Sequence, residues 1–111
     1  METTESKRNG VVILGVQGRL DASNAGGLEE KILGLIAADE KRFVVDCAQL
    51  DYISSAGLRV LLVAAKRLTP VGGKISLSSL KEHIKEVFDI AGFSSIFSIY
   101  PTLDEALAGV S

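Results

Sequence analysis

Ser54 and Ser55 stand side by side in the stretch DYISSAGLRVLL, residues 51–62, directly before a run of leucine and valine. A serine at a helix start accepts an orphan backbone N–H and so caps the helix. A hydroxyl in the same place is also well placed to carry a phosphate, because the first turn offers free N–H groups and the positive end of the helix dipole. Residue types alone leave both roles open to this pair.

The other reactive side chains do not assemble into a catalytic set. Nucleophilic catalysis needs a base beside the nucleophile. The single histidine, His83, falls on the solvent side of a helix whose core face is Ile84, Val87 and Phe88. One histidine and one cysteine make no metal cluster. Cys47 closes the apolar run RFVVDC, where a free thiol behaves as a small core residue. Asp21, Asp46 and Asp51 are spread along the chain, and spacing gives them no paired acid–base role. The segment VGGKIS (71–76) looks like the tail of a phosphate-binding loop, but Leu68 stands where that loop needs its first glycine, and a strand follows. It reads as a turn. No G-x-S-x-G elbow is present. The expectation is a protein that is not an enzyme and has no cofactor of its own.

The 111 residues fit one domain, residues 1–111, and 47% hydrophobic content supplies a core. Aromatics are only 5%, so that core is aliphatic. A net charge of −2 with scattered basic residues lacks the basic face of a nucleic-acid binder. The polar opening METTESKRNG lacks the apolar segment of a signal peptide. No apolar run reaches the roughly 18 residues of a membrane span. The expected location is cytoplasmic.

These side chains are positioned by alternating strands and helices. Residues 1–8 read as a polar segment or a short edge strand, turned at Asn9-Gly10 into a β-branched strand from Val11 to about Gln17. The spacing of Leu28, Ile32, Leu35 and Ile36 predicts a helix capped by Ser23 or Asn24. An interior strand spans Arg42 to Cys47. A second helix covers roughly Ala56 to Leu68 and is ended by Pro70 and Gly72-Gly73. A strand (Lys74 to Leu80), a helix on Ile84, Val87, Phe88 and Ala91, a last strand (Ser95 to Tyr100) and a terminal helix in LDEALAGV complete the chain. The order ββαβαβαβα predicts one α/β domain with a mixed, mostly parallel sheet of about five strands and about four helices.

In parallel sheets, ligands and partners are met at the carboxyl ends of the strands. Asp21, following the strand through Leu20, is expected at the same end as Ser54 and Ser55. On a helical wheel the second helix turns Leu58, Leu61, Leu62 and Ala65 to the core, and Ala56, Arg59, Val63, Lys66 and Arg67 outward. An apolar Val63 between the charges of Arg59 and Lys66 suggests a partner footprint.

The segment YISSAGLRVLL, with GRLDASNA before it and FDIAGFSSIFSIYPTLDEAL after it, resembles the STAS domain of bacterial anti-sigma factor antagonists. The resemblance runs from Val11 to the terminal DEAL. The family motif reads roughly D-S-[ST]-G-L, its phosphorylated serine following the Asp. Laid on this chain, Ser54 takes the Asp position, Ser55 the phosphoserine, and Ala56 the second hydroxyl position; Gly57-Leu58 match. Ser54 is then a competing hydroxyl. Asp21 matches the acidic residue that the family sets beside the phosphorylation loop, so Asp21, Ala56 and Gly57 are the expected neighbours of the acceptor.

The resemblance implies a binding module that sequesters an anti-sigma factor, itself a GHKL-type serine kinase, and so releases a sigma factor. Phosphorylation would break the complex and a PP2C-type phosphatase would reset it, ATP and Mg²⁺ belonging to the kinase. It implies no direct nucleic-acid or membrane partner. The competing class is a non-catalytic STAS scaffold, or a subunit of a larger signalling or lipid-transport assembly.

Overall fold

The computed structural model describes residues 2–110; the expected span 1–111 includes Met1 and Ser111, which lie outside the described residues. Strand β1 (Glu2–Arg8) turns at Asn9 and Gly10, with φ of 52° and 82°, into β2 (Val11–Leu20). Then follow helix α1 (Ala25–Ala37), β3 (Arg42–Asp46), β4 (Leu50–Ile53), α2 (Ser55–Leu68), β5 (Lys74–Ser78), α3 (Glu82–Ile90), β6 (Ser98–Tyr100) and α4 (Leu103–Val110). The chain folds as a single α/β domain. Its six-stranded sheet runs β1-β2-β3-β5-β6, with β4 attached to β2 off this path. Among the described residues only β1 is antiparallel to its neighbour.

Right-handed crossovers that all step in one direction lay successive helices on one face of the sheet. Leu28 and Ile32 of α1, Leu61 and Ala64 of α2, and Ile84 and Phe88 of α3 share one hydrophobic core with Val12, Leu14, Phe43, Val45 and Leu77, mostly aliphatic but with Phe43 and Phe88 fully buried in it. On the other face α4 packs Ala106 and Val110 over Val11 and Val44. Beneath this face the hydroxyls of Ser76 and Ser78 are buried without a hydrogen-bond partner among the described residues.

The sequence reading differs from this fold at several boundaries. Leu50–Ile53 forms a strand that the pattern did not announce, because its two central residues are exposed and it borders only the far end of β2. Strand β2 runs on to Leu20 rather than stopping near Gln17. Phe93–Ser95 coil into a 3-10 turn, so β6 begins at Ser98 rather than Ser95. Strand β5 ends at Ser78, where Ser79 adopts a positive φ of 60°. Ala91 lies beyond the end of α3 and is exposed.

Candidate functional site

Strand β2 changes partners along its length. Val12 to Gly15 pair with β3, and Gly18 to Leu20 pair with β4. The change is made at Gly18, whose φ of +85° is costly for a residue with a Cβ, and whose N–H donates to the Gln49 carbonyl at 2.9 Å. Parallel pairing of Leu20 with Ile53 then delivers Asp21 and Ser54 to the same end of the sheet. The Ser54 N–H donates to the Leu20 carbonyl at 2.9 Å.

The two serines are separated by geometry. Ser54 is the N-cap of α2, extended at φ −94° and ψ 174°, and its Oγ accepts the Gly57 N–H at 3.4 Å. It is half-buried. Ser55 is the first residue of the helix and is exposed. The substitution of serine for the motif's aspartate is thus physically mild, since both are good N-caps. Gly57 allows the helix start to sit on the strand ends: a Cβ there would lie 2.8 Å from both Ile53 Cγ1 and Leu20 Cγ.

Asp21 is tied into its own turn. Its Oδ1 accepts from the Ser23 hydroxyl at 2.6 Å and the Ser23 N–H at 3.0 Å. These bonds, the hydroxyl first, hold its carboxyl below the ordinary carboxylate value. Arg19 lies 4.0 Å from Oδ2. The expected cap of α1 is not made by a side chain. Asn24 occupies the N-cap position, but its amide turns back, donating to the Arg19 carbonyl at 2.8 Å and accepting the Asp21 N–H at 3.0 Å. Both residues flanking Leu20 are thereby fixed.

The outward face of α2 requires a correction of helical phase. Gly57, Leu58, Val60, Leu61, Ala64 and Leu68 are buried, so Leu58 and Leu61 face the core as expected while the centre of the core side is turned toward Gly57 and Ala64. Ala56 packs against the core instead of facing out. Leu62, expected inside, stands outside the core cluster and is half-exposed, as is Val63. Arg59 and Lys66 are exposed as expected. The outward stripe is Ser55, Arg59, Leu62 and Lys66, with Val63 at its flank. The leucine pattern points to a different phase because the small residues Gly57 and Ala64, not Leu62, take core positions, Gly57 where a Cβ would lie 2.8 Å from Leu20 Cγ.

The sequence reading missed an exposed pair beside this loop. The Arg19 guanidinium lies 4.2 Å from the centroid of the Tyr52 ring, and Tyr52 is 41% exposed. The Arg19–Tyr52 register of β2 and β4 sets this cation over the ring. The available signal was one of position, since each residue directly precedes an apolar strand end. Nearby, Lys81 pairs with the Asp51 carboxylate and His83 Nε2 lies 2.7 Å from the Asp51 carbonyl, so exposed His83 helps moor α3 to β4. Cys47 is buried, and burial with neighbouring Asp46 pushes its thiol up to about 12. Asp46 accepts the Ala48 N–H at 3.1 Å. In VGGKIS the turn is confined to Val71–Gly73, with Gly72 at φ +72°, and Lys74 opens β5.

The start of α2 thus presents an exposed hydroxyl, the Asp21 turn joined to it through the Leu20–Ser54 bond, and a mixed apolar–cationic stripe along the helix. The chain belongs to the STAS domain family, whose model matches residues 3–106. It is 44% identical to BtrV of Bordetella bronchiseptica, a candidate anti-sigma factor antagonist, over 97% of this chain and 93% of that one. Among solved structures, an anti-sigma factor antagonist from Mycobacterium paratuberculosis is 27% identical with a TM-score of 0.89, covering 98% of this chain and 92% of the other. A Thermotoga maritima protein, also a candidate anti-sigma factor antagonist, shares the fold with a TM-score of 0.93 at 23% identity, over 97% of this chain and 93% of that one. Among the described residues no helix is long and apolar enough to cross a membrane.

Proposed function

We propose that this protein is an anti-sigma factor antagonist whose α2 stripe docks an anti-sigma factor and whose Ser55 is the phosphorylation switch of that complex. The single observation that carries the assignment is the division of labour between the serines. Ser54 uses its oxygen as the helix cap, while Ser55 is exposed on the first turn. The names borne by its relatives support the anti-sigma partner. The kinase is the anti-sigma factor itself, of the GHKL type. The Ser55 oxygen takes the γ-phosphoryl group of ATP, the bond to the leaving ADP breaks, and the hydroxyl proton passes to solvent. A PP2C-type phosphatase returns the hydroxyl by hydrolysis. The exchange is cytoplasmic.

The physical effect of the phosphate falls on the interface. It adds about −1.5 to −2 charges at pH 7. At a helix start this is favourable to the free domain by about 0.3–1 kcal/mol when exposed. Desolvating the same dianion in a packed interface costs several kcal/mol, and every 1.4 kcal/mol is tenfold in affinity. The domain keeps its fold and loses its partner. The test is incubation with candidate GHKL-type kinases and ATP, followed by mass-spectrometric site mapping and binding measurements. Phosphate on Ser55 with loss of complex is expected. Phosphate on Ser54 alone, with Ser55→Ala still fully modified, overturns the assignment.

A further inference from the structure

Ser55, Arg59, Leu62 and Lys66 fall at i, i+4, i+7 and i+11 of the fourteen-residue helix α2, which is one face. Ser55 and Arg59 are thus neighbours across one turn, with Cβ atoms about 5–6 Å apart. Both are exposed. Among the described residues Arg59 enters no ion pair, whereas Arg19 lies beside Asp21, Lys81 beside Asp51 and Lys85 beside Asp89. The first turn of α2 carries no acidic residue, and its N-cap is Ser54. Asp21 is engaged by Ser23. The nearest anion that Arg59 can acquire on its own helix is therefore one created at position 55.

Resting on the reading of Ser55 as the modified residue, we propose that Arg59 is the receptor of the phosphate within this chain. On modification the guanidinium closes on the dianion across one helical turn and is withdrawn from the docking stripe. The order of charges is the favourable one, since an anion N-terminal to a cation at i, i+4 also suits the helix dipole. A phosphate–guanidinium pair is charge-assisted and can be bidentate. Arg59 then has two states: free and facing the partner, or closed on phosphoserine. Modification acts on the stripe twice, adding a dianion and removing its upper cation.

The test installs phosphoserine at position 55 by genetic encoding, so that no kinase is needed. The second phosphate ionisation is followed by ³¹P NMR in the otherwise native chain, in Arg59→Gln and in Arg59→Lys. The native chain is expected to titrate about 0.3 pH unit below Arg59→Gln, the size given by an ordinary i, i+4 pair. Arg59→Lys falls between them, and the difference shrinks in 1 M salt. Lys66→Gln, two turns further along the same face, is expected to leave the value unchanged. Equal titrations in the native chain and Arg59→Gln overturn the proposal. So does an equal displacement in Lys66→Gln, which marks a diffuse field instead of a pair. Because the phosphate is placed directly, a null titration counts against Arg59 alone. Failure of every kinase to modify Ser55 counts against the parent reading alone.

Discussion

The backbone of Ser54 is hydrogen-bonded to that of Leu20, the N–H donating to the carbonyl at 2.9 Å. This bond continues the parallel pairing of β4 with β2 by one residue and places the turn holding Asp21 beside the start of α2. The hydroxyl of Ser54 is then free to cap the helix, and Ser55 is the first side chain to point away from it.

Replacing the cap separates the two serines experimentally. Ser54→Ala removes an N-cap oxygen and is expected to cost about 0.5–1 kcal/mol, the lower part of the usual range because the bond to the Gly57 N–H is long at 3.4 Å. Ser54→Asp keeps the cap and is expected to keep the stability. Urea midpoints distinguish the two. Equal losses in both variants contradict the capping role.

Gly57 is expected to tolerate no side chain. Gly57→Ala drives a Cβ to 2.8 Å from Ile53 Cγ1 and Leu20 Cγ, and such overpacking costs about 1–3 kcal/mol. The helix start is pushed off the strand ends, so amide shifts should move in both Asp21 and Ser55. A stable variant with unchanged spectra contradicts the close approach.

Leu62 is expected to carry binding and not folding. Leu62→Asp changes a partly buried side chain outside the core and should lower stability by about 1 kcal/mol, from lost helix propensity and partial burial. Affinity for the anti-sigma partner should fall at least tenfold. Leu61→Asp, one residue earlier and buried, should unfold the domain. A severe loss of stability in Leu62→Asp would return that residue to the core.

Acid should destabilise the site end of the sheet. The carboxyls of Asp21 and Asp51 sit below the ordinary value of 3.8, Asp21 through the Ser23 hydroxyl and Asp51 through its hydrogen bond to Lys81. A carboxyl lowered in the folded state binds its proton more readily when unfolded, so its contribution is complete above that ordinary value. It is lost as the pH falls through the folded value. Asp51→Asn should flatten the acid limb of a stability–pH curve. An unchanged limb contradicts the Lys81 pairing.

Cys47 should be silent in the native protein. A thiol held at about 12 by burial is almost wholly protonated at pH 8, and the thiolate is the nucleophile. Alkylation should proceed only in denaturant. Rapid labelling of the folded chain would show that β3 opens locally.

The sequence made the helix order, the hairpin at Asn9-Gly10 and the nearness of Asp21 to the serine loop legible, because each rests on local pattern or on the direction of parallel strands. Strand β4 was hidden, since it is four residues long with two exposed at its centre. The face of α2 is only partly legible from its leucines, because Gly57 and Ala64 also take buried positions on it. Gly57 was visible in the sequence; the 2.8 Å approach to Leu20 that makes it a core position was not. The Arg19–Tyr52 stacking depends on the register between two strands, which no local pattern contains.

The partner change of β2 at Gly18 has a consequence for what the surface reports. The turn that holds Asp21 adjoins the start of α2 because β4 pairs with the far end of β2, a pairing made across all of α1 and β3. A short peptide bearing the SSAGL motif presents the hydroxyl without its neighbouring turn, and an unfolded chain does the same. On the proposed reading, an enzyme that recognised both segments together would inspect finished molecules and pass over chains whose ends of sheet have not closed.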